Sequence, residues 1–121
     1  MSESFVSLKV AADRTSYMRG DNVLITVAAQ KKNRAAAQEP VKLYVFAPDG
    51  KKVYQAKLST DNLGKAMGMY RVGKNTAGGR YSIEAHSSAA SVAFASFLIL
   101  DRKFFYRKFQ LFGQQTRPGM L

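Results

Sequence analysis

Apolar side chains recur at every second position in short runs of this chain, and turn residues cut each run before a helical period can build. A period of two puts alternate side chains on opposite faces of an extended strand, so each run must bury one face in a sheet core. Val23, Ile25 and Val27 share one face, with Leu24 and Thr26 opposite. Val41, Leu43 and Val45 oppose Lys42, Tyr44 and Phe46. Val53, Gln55 and Lys57 oppose Tyr54, Ala56 and Leu58; Tyr81, Ile83 and Ala85 oppose Ser82, Glu84 and His86. Phe5, Leu8 and Val10 open the chain in a β-prone run, Ala66–Val72 is another short run, and Ser91–Leu100 is the last.

The punctuation between runs has its own chemistry. Ala47-Pro48-Asp49-Gly50 predicts a tight hairpin turn, because proline presets φ at the first corner and glycine accepts positive φ. Ser59–Gly64 and the Gly/Asn/Thr-rich segment Gly73–Gly79 are further turns, and Asp13–Asn22 is a loop ending in Gly20-Asp21. The polar, lysine-rich segment Gln30–Pro40 is expected to be a long exposed loop, within which Arg34–Gln38 allows one helical turn. Seven short strands separated by turns predict an all-β, seven-stranded antiparallel sandwich of the immunoglobulin-like type. Tyr81 follows a Gly-Gly turn at the start of the penultimate strand, where a tyrosine hydroxyl folds back onto the corner backbone; the plainer alternative is an ordinary core tyrosine.

The chain has 121 residues, one domain's worth, and 46% of them are hydrophobic, enough for a core without a disulfide or metal staple. It has no cysteine, which excludes a disulfide framework, a thiolate zinc site and a cysteine nucleophile. Nineteen Lys+Arg against eight Asp+Glu give a formal charge of +11, a field that attracts phosphates, anionic headgroups or acidic partners, or simply keeps a domain soluble by self-repulsion. The first residues show no charged region followed by an apolar one, so no signal peptide is expected, and compartment stays open.

Nothing in the sequence spells a reaction. His86 is the single histidine and sits beside Glu84 on a solvent-facing strand position. Ser87, Ser88 and Asp101 show no triad spacing, and no Gly-x-Ser-x-Gly occurs. Asp21, Asp49 and Asp61 sit at turns, where carboxylates bond local backbone amides, and no Asp-x-Asp-x-Asp calcium loop is present. Gly73–Gly79 lacks the Gly-Lys-Ser/Thr of a phosphate loop. The expectation is therefore no enzyme, no metal and no cofactor.

The order of the turn motifs resembles the second macroglobulin-like domain of the alpha-2-macroglobulin family. Tyr17-Met18-Arg19-Gly20-Asp21-Asn22-Val23 is similar to its Tyr-x-Pro-Gly-Asp-x-Val opening, with Arg19 in place of proline. Val41–Gly50 resembles its next hairpin, Ser59–Gly64 its Thr-Asp-x-x-Gly segment, Gly79–Ala85 its Gly-x-Tyr-x-Ile-x-Ala strand, and Ala95–Leu100 its Ala-x-Phe-x-Val close. The resemblance covers about residues 8 to 105 and marks Tyr17, Gly20, Pro48, Gly50, Gly64, Gly79 and Tyr81 as structural positions. It implies a macroglobulin-like sandwich used as a building block of larger, usually exported, proteins. The family's thioester chemistry needs a cysteine, which this chain lacks, so the resemblance implies a non-catalytic scaffold and protein-contact module.

Two basic features are candidate interaction sites. One is Lys31, Lys32 and Arg34 in the polar segment. The other is the stretch after a domain spanning residues 1–100, an extension over 101–121 where Arg102, Lys103, Arg107 and Lys108 interleave with Phe104, Phe105, Tyr106, Phe109 and Phe112. That extension is expected to be an edge strand or the start of a following domain, and an unpaired strand there would swap into a second copy to make a homodimer. The partner expected is a protein or neighbouring domain. The alternative is a stand-alone basic domain that binds nucleic acid, an anionic membrane or an acidic protein through these two features.

Overall fold

The computed structural model describes residues 6–88 and 91–100. Their secondary structure is all strand, in chain order β1 (Ser7–Ala12), β2 (Ser16–Tyr17), β3 (Asn22–Lys31), β4 (Arg34–Ala35), β5 (Pro40–Phe46), β6 (Lys52–Ser59), β7 (Lys65–Arg71), β8 (Gly79–Ser87) and β9 (Val92–Ile99). Two sheets stack as a sandwich. In the first, β3 is flanked by β1 on one side and by β7 and β4 on the other; the second runs β2-β9-β8-β5-β6. The strand pairs are antiparallel except β2 with β9, which is parallel.

The faces expected to be apolar form the core. Val23, Ile25 and Val27 of β3, Val41, Leu43 and Val45 of β5, Ile83 and Ala85 of β8, and Phe97 and Ile99 of β9 are all buried between the sheets. Each such Val, Leu, Ile or Phe side chain contributes about 1.5–3 kcal/mol on burial. Tyr81 stacks on Phe97 with ring centroids 5.5 Å apart, and Tyr17 meets the same ring edge-on at 5.3 Å. The Tyr81 hydroxyl donates to the carbonyl of Ala77 at 2.6 Å, four residues upstream, so it does fold back onto the corner.

Among the described residues the strand count is nine rather than seven. The two extra strands have two residues each, too short to carry a period. β2 lies inside the stretch expected to be loop: Leu98 N–H donates to Thr15 O at 2.9 Å and Leu100 N–H to Tyr17 O at 2.8 Å. Tyr17 is held there by its hydroxyl, which donates to Asp13 Oδ1 and accepts from the Arg14 amide at 2.8 Å. Burial, then the bond to Asp13, raises the Tyr17 phenol to about 12, while the same bond holds the Asp13 carboxyl below its ordinary value.

Gln30–Pro40 is a second correction. It is neither a long loop nor a helical turn. β3 runs to Lys31, Lys32 and Asn33 turn the chain at φ 54° and 63°, and β4 returns with Arg34 opposite Lys31. This two-residue turn with both φ positive matches the twist of the strands it joins. Ala36 then tucks into a small apolar cluster with Val6 and Ala29. Thr60, itself buried, receives this return: its hydroxyl donates to Ala36 O and accepts from the Glu39 amide at 2.8 Å.

Candidate functional site

The turn acids are spent on local structure. Asp61 Oδ1 accepts from the Leu63 amide at 2.8 Å and the Lys65 amide at 3.0 Å, and those bonds, Lys65 first, lower its pKa. Asp21 Oδ2 accepts from Met18 N–H at 2.8 Å, and Asp49 Oδ1 from Lys51 N–H at 3.0 Å. Gly20 N–H donates to Val72 O at 2.8 Å, tying this turn to the end of β7. Arg19, standing where the resemblance has proline, sends its Nε to Thr76 O at 2.8 Å and so ties the same turn to the loop before β8. Among the described residues no group of three His, Cys, Asp or Glu is placed to hold a metal ion.

Lys31, Lys32 and Arg34 are brought together at the tip of the β3–β4 hairpin, all exposed. Arg102, Lys103, Phe104, Phe105, Tyr106, Arg107, Lys108, Phe109 and Phe112 lie outside the described residues.

The outer face of the five-stranded sheet was not anticipated as a site. Register there lines up Lys57 of β6, Lys42 of β5, His86 of β8 and Val92 of β9 in one row across four strands. The next row is Gln55, Tyr44, Glu84 and Phe94. Phe94 is 70% exposed. A groove of about 530 Å³ opens over the first row, lined by Pro40, Lys42, Tyr44, Lys57, His86 and Ser88 among others.

Charges on this face are unevenly matched. His86 Nε2 bonds Glu84 Oε1 at 3.0 Å, and its ring meets Tyr44 edge-on at 5.4 Å. Glu39 Oε2 accepts from the hydroxyl of Ser88 at 2.7 Å. Lys52 Nζ lies 4.9 Å from the Tyr44 ring centroid and donates to Gln55. Lys42 and Lys57, directly opposite one another, have no hydrogen bond or ion pair among the described residues. Like charges facing across a strand pair repel, so this arrangement is locally destabilising.

The family model described as the MG2 domain matches residues 7–99. No curated protein matches the chain. Among solved structures, Escherichia coli alpha-2-macroglobulin activated by porcine elastase is similar at 21% identity and a TM-score of 0.70, over 78% of this chain and 8% of that one. Salmonella alpha-2-macroglobulin reacted with methylamine is similar at 21% identity and a TM-score of 0.71, over 79% of this chain and 6% of that one. A CARDB domain from Pyrococcus furiosus, in complex with di-metal ions, shares 11% identity at a TM-score of 0.54, over 79% of this chain and 88% of that one. At such identities the likeness speaks to the fold alone, and the chain spans only 6–8% of the length of the two macroglobulins.

Proposed function

The chain belongs to the MG2 domain family, and from this we propose that it is a non-catalytic scaffold and protein-contact module of a larger alpha-2-macroglobulin-like protein. The observation that carries the reading is the family match over residues 7–99, set against much longer chains of which the matched fold covers only 6–8%. The chemistry of the side chains supports it. The turn carboxylates Asp21, Asp49 and Asp61 bond backbone amides and so serve local structure. What the domain offers a neighbour is shape, edges and charge.

The test has two parts. An antibody against this chain should detect, in the source cells, a polypeptide far larger than 13.4 kDa. Hydrogen exchange should then find amides of the sheet faces or the hairpin tip more protected in that polypeptide than in the isolated chain. A free 13.4 kDa protein with the same exchange pattern alone and in extract would overturn the reading.

A second reading rests on the exposed cluster Lys31, Lys32 and Arg34, three cations on and beside a two-residue turn. A stand-alone anion binder built on this tip would lose affinity steeply with added salt. Packing between domains would persist or strengthen.

A further inference from the structure

We propose that the groove crossed by Lys57, Lys42 and His86 is a docking site for an acidic protein segment carrying apolar side chains. The inference rests on the contact-module reading above and names the chemistry of the contact. Three observations carry it. The Lys57–Lys42–His86 row lines a groove rather than a convex edge. Its two lysines face each other and make no ion pair among the described residues, whereas the nearby carboxylates hydrogen-bond other groups, Glu84 to His86 and Glu39 to Ser88. A carboxylate from outside would relieve the Lys42–Lys57 repulsion and gain a charge-assisted bond. Tyr44 lines the groove itself, and the 70% exposed Phe94 stands in the neighbouring row two strands away on the same sheet face.

The same face argues against a nucleic acid. Bases could stack on Tyr44 or Phe94, but Glu84 lies between these two in the row and would meet a phosphate backbone laid along it. A protein segment places its carboxylates locally, over the lysines, and its apolar side chains over the aromatics. Complementarity of this kind favours encounter and register.

The experiment titrates the full chain with a short fluorescein-labelled peptide of Glu-Glu-Phe repeats, followed by anisotropy at low salt. A Lys-Lys-Phe peptide and a thymidine oligomer are the comparison probes. The double variant K42E/K57E is set against K31E/K32E, which changes the net charge equally at the hairpin tip. The expected result is saturable binding of the acidic peptide, weakened about tenfold or more by K42E/K57E and about twofold or less by K31E/K32E. In the unsubstituted chain, NMR signals of the His86 ring and the Ser88 amide should shift on titration, which keeps the test independent of the variants' folding. Three results would each overturn the proposal: no saturable binding of the acidic peptide, equal weakening by the two variants, or tighter binding of the oligomer. None of these bears on the size of the parent polypeptide, so a failure here leaves the module reading to its own test.

Discussion

The Gly64 carbonyl accepts from the Ala29 amide at 2.7 Å, and a Cβ on Gly64 would lie 2.5 Å from the Ala29 carbonyl oxygen. The turn between β6 and β7 is thus pressed against the backbone of β3, close to where Ala36 returns from the hairpin. Gly64 also holds φ at 76°, a conformation that costs other residues about 1 kcal/mol or more. Gly64→Ala should therefore destabilise by at least about 2 kcal/mol, strain and backbone clash together. Gly50→Ala is the control: its φ is 90° but nothing lies within 4 Å of a new Cβ, so only about 1 kcal/mol of strain is expected. Urea midpoints of the two variants decide; equal losses would mean that the contact with Ala29 is unimportant.

Tyr81→Phe keeps the ring on Phe97 and removes only the bond to Ala77 O. The carbonyl loses its donor, and the expected loss is about 1–3 kcal/mol with an unchanged denaturant slope. A loss below a few tenths would show that water replaces the hydroxyl at the corner.

Stability should fall in alkali over a defined window. Tyr17 ionises near 10 in the unfolded chain and about 12 in the folded one, so its contribution is complete below pH 10 and is lost as pH rises toward 12. Absorbance at 295 nm should show the Tyr17 phenol among the late-titrating ones, in step with unfolding. Tyr17→Phe removes this dependence, although the burial-raised phenols of Tyr70 and Tyr81 leave some alkaline sensitivity behind.

Acid acts in the opposite sense. The Asp13 carboxyl is held below its ordinary 3.8, so its contribution is present above that value and is lost as pH falls through the lower folded value. Asp13→Asn should lower stability at neutral pH and flatten the acid limb. The part of that limb due to Asp61, anchored by the Lys65 and Leu63 amides, should survive. Denaturant midpoints at pH 7 and at pH 3 measure both.

The hairpin tip offers a gain. Lys32 and Asn33 hold positive φ without being glycine, where Asn-Gly would be at ease. Replacing them together, Lys32→Asn with Asn33→Gly, should stabilise by about 0.5–1 kcal/mol. Destabilisation would mean that the Lys32 side chain packs on the hairpin in a way its exposure does not reveal.

The long strands were legible because their inward positions alternate without interruption, as in Val41, Leu43 and Val45, and because Pro48-Asp49-Gly50 spells its turn. Tyr81 was legible from its place after Gly78-Gly79. β2 and β4 were not: two residues carry no period, β2 is defined by a distant parallel partner, and Lys32-Asn33 does not spell the turn it makes. The Lys57–Lys42–His86 row was hidden for a related reason. Each member sits at an ordinary outward position of its own strand, and only the register between strands, set by the buried faces, aligns them.

The parallel pairing of β2 with β9 has a mechanical consequence. Tension that reaches residues 15 and 100 pulls these two strands in opposite directions along their lengths. The bonds from Leu98 to Thr15 and from Leu100 to Tyr17 then carry the load side by side and must rupture together. An antiparallel pair at the same ends would instead unzip one bond at a time. With Tyr17 pinned to Asp13 inside the same clamp, the shear-loaded bonds sit on a strand that is itself anchored by a side chain.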